Sequence, residues 1–233
     1  ACNLYNYFTY ELIEHGFSLS IEGEGSEKLK ASKNNLAFLS FYKAWDIIVG
    51  SKTGLSVTMT NNIPLSRGLG SSSTAIVAGL VAANCLSGNT LSKNEIVQLA
   101  TEIEGHPDNV APAILGGVTI SYVDDGKAKS LKFVPLKPFK LVAIVPDMPL
   151  ATSLARKAIP KAVPHQDAVF NTSRAALLVG AMLTGEYQYL GSGLCDRLHQ
   201  PYRAHLIPGM EAAFKAAIIA GAYNAIISGA GST

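Results

Sequence analysis

The sequence predicts an α+β fold divided into two domains, and three features carry that expectation. Two-residue alternation of apolar side chains marks short strands early in the chain, helical apolar spacing takes over after residue 71, and Pro135 and Pro138 bracket a junction past the midpoint. The first domain is expected over 1–135 and the second over 136–233.

Leu4, Asn6, Phe8, Tyr10 and Leu12 alternate, as do Phe17, Leu19 and Ile21, and His15-Gly16 between them predicts a β-hairpin over 3–22. Leu55, Val57 and Met59 predict a third strand that ends at Asn61-Asn62-Ile63-Pro64. It runs into Gly68-Leu69-Gly70-Ser71-Ser72-Ser73, after which Ile76, Val77, Leu80 and Val81 recur at helical spacing. Ser92 with Glu95 three residues on is a capping box, and Ile96, Leu99, Ala100 and Ile103 form the apolar stripe of the helix it opens. That helix should stop before Gly105 and Pro107. A hairpin follows, with a strand over 117–123, a turn at Asp124-Asp125-Gly126-Lys127 and a partner over 131–134. The second half is expected to hold a buried strand over 140–145, helices near 151–158, 166–184, 186–198 and 209–220, and a strand over 222–228 feeding Gly229-Ala230-Gly231. No internal repeat is evident.

The chain has 233 residues and a net charge of 19 − 17 = +2, with 15% of residues charged, so the electrostatic footprint of a nucleic-acid binder is lacking. Its longest apolar runs, near 75–83 and 175–183, fall short of the roughly 20 residues of a membrane span. Cys2, Cys85 and Cys195 show neither disulfide nor zinc spacing, which points to a reducing, cytoplasmic setting. The opening at Ala1-Cys2-Asn3-Leu4, without Met, reads as the interior of a longer sequence.

A Gly-x-Gly-Ser-Ser-Ser loop between strand and helix aims backbone N–H groups and three hydroxyls at the positive end of a helix dipole, where a phosphate is stabilised. The same pattern also serves as a plain helix cap, and the loop alone does not separate the two. It is not a Walker loop, since no G-K-[ST] follows. Glu102, Glu104, His106, Asp108 and Asn109 crowd one helix end, a density that implies solvent or a charged ligand. Glu102 and Glu104 lie about 200° apart around the axis, so one alone can face a site beside the core. In the second half Arg156, Arg174, Arg197 and Arg203 carry guanidinium forks suited to carboxylate or phosphate, although each is also an ordinary surface residue. The polar density of Asp196-Arg197-Leu198-His199-Gln200-Pro201-Tyr202-Arg203 singles out Arg203.

Pro64-Leu65-Ser66-Arg67-Gly68-Leu69-Gly70-Ser71-Ser72-Ser73-Thr74-Ala75 resembles the P-x-x-x-G-L-G-S-S-A-A phosphate loop of the GHMP kinases. Glu104-Gly105-His106-Pro107-Asp108-Asn109-Val110-Ala111-Pro112, the segment His165-x-Asp167-Ala168-Val169-Phe170-Asn171-x-Ser173-Arg174, and residues 196–203 are similar to the bacterial homoserine kinase branch. The resemblance spans about residues 50 to 233. It implies a GHMP kinase fold, with an N-terminal domain like domain 2 of ribosomal protein S5, a ferredoxin-like C-terminal domain, and ATP and substrate between them.

It also implies ATP-dependent phosphorylation of the L-homoserine hydroxyl in threonine biosynthesis, with Mg²⁺ as cofactor; a homodimer is compatible with it, and the charge and apolar runs above speak against a nucleic-acid or membrane partner. Pro64, Arg67, Gly68, Leu69, Gly70, Ser71, Ser72 and Ser73 would bind ATP, Ser71 or Ser72 with Glu102 would hold Mg²⁺, and Asn109, Arg156 and Arg203 would bind homoserine. Glu102 is preferred to Glu104 because the family's glutamate is expected at least a turn before the D-N pair. Ser72, Glu102 and Asn109 would be the catalytic groups, with Asn109 implying direct attack by the substrate hydroxyl and Asp108 and His106 as alternative bases. The family's N-L-G-x-G-F-D segment and the elements after its third motif, S-G-S-G-P-T, have no counterpart here, and Ser232 stands at that motif's proline. The competing readings are a GHMP kinase for mevalonate or a methylerythritol derivative, and a non-catalytic GHMP-fold sensor, which would have lost the serine cluster or the metal-binding carboxylate.

Overall fold

The computed structural model describes residues 1–29 and 34–233, which divide into two compact units: 1–65 with 70–133, and 66–69 with 134–233. In the first unit, β1 (Tyr7–Ile13), β2 (Phe17–Gly23) and β3 (Gly54–Asn61) form a sheet in the order β1-β3-β2. The expected hairpin over 3–22 is therefore corrected, because β3 lies between the two strands, antiparallel to β1 and parallel to β2. Alternation reports that one face of a strand is buried and is silent on which strand pairs with it. The short Glu14-His15-Gly16 link spans two inter-strand spacings, about 10 Å, well within an extended chain's reach.

The parallel step from β2 to β3 passes through α1 (Leu36–Ile48), a helix the sequence reading passed over. Asn35 caps it by accepting from Ala37 N at 3.0 Å, and Phe38, Phe41, Ala44 and Trp45 line its buried face at helical spacing. These pack with Leu55, Val57 and Met59 of β3 and with Ile76, Leu80 and Ala83 of α2 (Ser71–Leu86) in one core. Full burial of Phe38 or Phe41 contributes about 1.5–3 kcal/mol each. The helix α3 (Lys93–Glu104) opens with the expected Ser92/Glu95 capping box and closes at Gly105 in the left-handed conformation. A short α4 (Val110–Leu115) follows, then the hairpin of β4 (Val118–Asp124) and β5 (Lys127–Phe133), with Asp124 opposite Lys127 as the turn residues predict.

The second unit holds α5 (Thr152–Lys157), α6 (His165–Thr184), α7 (Leu190–Gly193), α8 (Gln200–Arg203) and α9 (Met210–Ile219). Three of the expected helices stand, whereas 186–198 breaks into a 3₁₀ turn at Tyr187–Tyr189 and the four-residue α7. The strands expected at 140–145 and 222–228 do not form. Both stretches lack a ladder partner among the described residues, and Leu141, Val142 and Ile144 are exposed. Leu150, Ala155, Ile207 and Ile227 make one buried cluster of this unit and Ala181, Tyr187 and Leu190 another.

Candidate active site

In the first unit the site is built on the start of α2. Gly70 occupies its N-cap in the left-handed conformation and carries no side chain to cap the first turn, which leaves that turn's N–H donors beside the serine hydroxyls. Ser73 is buried and donates its Oγ to Glu104 Oε1 at 3.2 Å, while Ser72 is exposed. The carboxylate that meets the serine loop is thus Glu104 and not the expected Glu102. Glu102 turns the other way, toward α1, accepting from Lys43 Nζ at 2.9 Å and Gln98 Nε2 at 3.1 Å. The Lys43 bond and then the Gln98 bond hold its carboxyl below the usual range. Gly105 ends α3 immediately after Glu104, which is the last helical residue and the one whose carboxylate reaches Ser73 of α2.

Asn109 sits exposed at the N-cap of α4, and His106 Nδ1 is 3.9 Å from Asp108 Oδ2. Sequence reasoning missed Asn6, just before β1. Its Oδ1 accepts from Asn62 N at 2.8 Å and Ile63 N at 2.9 Å, and its Nδ2 donates to Thr74 Oγ1 at 2.9 Å and Ser71 Oγ at 3.3 Å. The signal was present, as Asn6 is the one amide in the alternating set Leu4, Asn6, Phe8, Tyr10, Leu12. A cavity of about 570 Å³ lies at the ends of β2 and β3, lined by Gly23, Glu24, Gly25, Lys28, Asn61 and Asn62 among others.

In the second unit Gly68 packs against the loop at the chain's end. A Cβ there would fall 2.0 Å from Ser228 O, so no larger residue fits, and Ser228 Oγ donates to Gly68 O at 2.8 Å. Thr233 N donates to Arg67 O, and Arg67 Nε to Pro146 O. Gly68, where the first glycine loop begins, thus meets the second glycine loop within this unit. Arg203 is buried, donates Nε to Ala155 O at 2.9 Å and Nη1 to Gly229 O at 3.0 Å, and abuts His199 Nε2. Burial, and next the charge of Arg156 in the last turn of α5, hold Arg203 below its ordinary value, and its Nε bond to Ala155 O anchors it to the residue before Arg156. Asp196 accepts from the backbone N–H groups of Leu198, His199 and Gln200 and from Asn171 Nδ2, tying α6 to the turn that opens α8. Burial alone would raise its carboxyl, and these bonds outweigh it and lower it.

The family model for the GHMP kinases N terminal domain matches residues 35–117. A homoserine kinase of Carboxydothermus hydrogenoformans is 42% identical over the whole chain, which covers 76% of that relative's length. One from Caldanaerobacter subterraneus subsp. tengcongensis is 43% identical, with 75% of its length covered. The crystal structure of homoserine kinase from Cytophaga hutchinsonii superposes with a TM-score of 0.85 at 29% identity, over 97% of this chain and 74% of that one. Mevalonate kinase from L. major, at 18% identity and a TM-score of 0.70 over 98% of this chain and 76% of that one, shares the fold.

Proposed function

The chain belongs to the homoserine kinases, ATP-dependent phosphotransferases of GHMP kinase fold, and on that premise we propose how its residues divide the work. The Ser71 and Ser72 hydroxyls, with the amides of the first turn of α2, that of Ser73 included, and the Gly68-Leu69-Gly70 backbone, bind the ATP phosphates; Pro64 and Arg67 hold the loop. The cavity at the ends of β2 and β3 takes the nucleoside, its volume being that of a ligand pocket. Residues 1–135 form the ATP-binding domain and 136–233 the C-terminal domain, a reading supported by the unit boundary between Phe133 and Val134.

The donor set fits magnesium, which takes hard oxygen ligands and is held by one or two carboxylates together with phosphate oxygens. Ser71 or Ser72 and Glu104 would hold it. When bound with ATP, the ion neutralises phosphate charge. Ser73 keeps the Glu104 carboxylate turned toward the loop.

Arg156 and Arg203 bind the homoserine carboxylate, and the observation that carries this substrate assignment is the buried Arg203 anchored by Nε to the carbonyl of Ala155, the residue before Arg156 in α5. An anion shared between two guanidiniums is held by charge-assisted bonds from both, and the fork geometry suits a carboxylate. Asn109 binds the substrate near its hydroxyl. An amide there has no basic character, so the hydroxyl attacks directly and rate comes from alignment and charge neutralisation. The enzyme works on small molecules in the cytoplasm, a reading that the free cysteines Cys2, Cys85 and Cys195 support; no helix of the described residues is long and apolar enough to cross a membrane. Coupled ADP release tests the assignment. Turnover is expected with L-homoserine, and neither mevalonate nor galactose should substitute; faster turnover with either would overturn it.

A further inference from the structure

We propose that Asn6 is a positioning residue that clamps both ends of the glycine-serine loop and fixes the polarity of the Ser71 hydroxyl. The inference rests on the reading of that loop as the phosphate site. A side-chain amide offers two acceptor lone pairs and two donor hydrogens, and all four are used here. The acceptor side takes the backbone N–H groups of Asn62 and Ile63, where β3 ends, and the donor side reaches Thr74 Oγ1 and Ser71 Oγ in the first turn of α2. Residues 64–70 are thus strung between two points held by one half-buried side chain.

The direction of these bonds matters as much as their number. Because Nδ2 can only donate, Thr74 Oγ1 must accept from it, which frees the Thr74 hydrogen to donate to Ser71 O at 2.7 Å. Ser71 Oγ likewise accepts from Asn6, so its own hydrogen and remaining lone pair point away, available to a phosphate oxygen or a cation. An ionised aspartate would keep the two backbone bonds and reverse this pattern, since it only accepts. Both hydroxyl hydrogens would turn toward it, Thr74 would leave the Ser71 carbonyl, and a negative charge would stand beside the phosphate site. The sequence places Asn6 for this task, as β1 begins at the next residue and Tyr7 pairs with Thr60, which brings Asn6 alongside the end of β3.

Asn6→Asp separates holding the backbone from setting the hydroxyls, and Asn6→Ala removes both. Steady-state kinetics with ATP varied at saturating homoserine, and the reverse, should show kcat/KM for ATP falling about 10–100-fold in both variants, from the loss of one or two hydrogen bonds at the site. The homoserine KM should stay within about three-fold. The unfolding midpoint of Asn6→Asp should lie near that of the parent. In a Ser71→Ala background the Asn6→Asp penalty should shrink, because the hydroxyl it sets is gone. Parental ATP kinetics in Asn6→Asp, equal losses for both substrates, or full additivity with Ser71→Ala overturns the inference. If Ser71→Ala and Ser72→Ala themselves leave ATP kinetics unchanged, the reading of the loop falls and takes the inference with it; if those variants lose ATP binding while the Asn6 variants do not, the inference alone falls.

Discussion

Replacing Glu104 by Gln or Ala, beside Glu102→Ala, separates the two carboxylates that the sequence left side by side. The stability costs are similar and small. Glu104→Ala removes one hydrogen bond from the buried Ser73 hydroxyl, about 1–2 kcal/mol. Glu102→Ala removes an ion pair with Lys43 whose side chains are 45% and 35% exposed, about 0–1 kcal/mol. Glu104→Gln keeps an oxygen to accept from Ser73 and loses only the charge. Any large gap in activity must then come from chemistry and not from folding. Loss of the carboxylate beside the serine loop should lower turnover by two orders of magnitude or more, equivalent to about 2.7 kcal/mol of transition-state stabilisation, in Glu104→Gln as in Glu104→Ala. Glu102→Ala should stay within about three-fold of the parent. Coupled ADP release over a magnesium titration reads the kinetics, and circular dichroism melting checks the fold. An inactive Glu102→Ala beside a near-normal Glu104→Gln would refute the reasoning.

Arg203→Ala should raise the homoserine KM about 10–150-fold, the value of one charge-assisted hydrogen bond, with the ATP KM within a few-fold. Arg203→Lys should restore only part of it, since the ammonium lacks the fork; an unchanged homoserine KM in both Arg156→Ala and Arg203→Ala would remove them from the substrate site. Gly70→Ala meets open space and should cost only its left-handed backbone, about 1–2 kcal/mol. Gly68→Ala drives a Cβ into Ser228 O, so it should lower the melting temperature further and abolish ATP binding, and equal effects of the two would contradict the contact. Burial, then the neighbouring Arg203 charge, hold the His199 imidazole below its ordinary value of 6.5. The unfolded chain therefore takes up a proton first on acidification. The stability this residue confers is intact above 6.5 and is lost as pH falls from there through the folded value. Urea midpoints from neutral to mildly acid pH should decline more steeply in the parent than in His199→Gln, and parallel declines would exclude His199 as a source.

Local chemistry was the part of this fold legible in sequence. Ser92 with Glu95, the Asp125-Gly126 turn and the loop from Gly68 to Ser73 each act over a few residues, and the structure keeps all three. Pairing was not legible, because the alternation of Phe8 and Tyr10 and of Leu19 and Ile21 names a buried face and no neighbour. The same limit explains 140–145, where apolar residues suggested a strand and the ladder that defines one is absent among the described residues. At the site, residue types were recovered and orientations were not. Helical geometry showed that only one of Glu102 and Glu104 could face the core side, yet choosing between them required knowing that Lys43 of α1 sits on one side and Ser73 of α2 on the other. Asn6 was concealed for a similar reason, since its four partners come together only once β1 lies against β3.

Phosphorus NMR of the reaction mixture tests the central claim most directly. With Mg-ATP and L-homoserine, a phosphomonoester resonance should grow in step with ADP, its carrier identified by mass as O-phospho-L-homoserine. ADP formed with inorganic phosphate alone, or a phosphomonoester that forms with mevalonate and not with homoserine, would contradict the account.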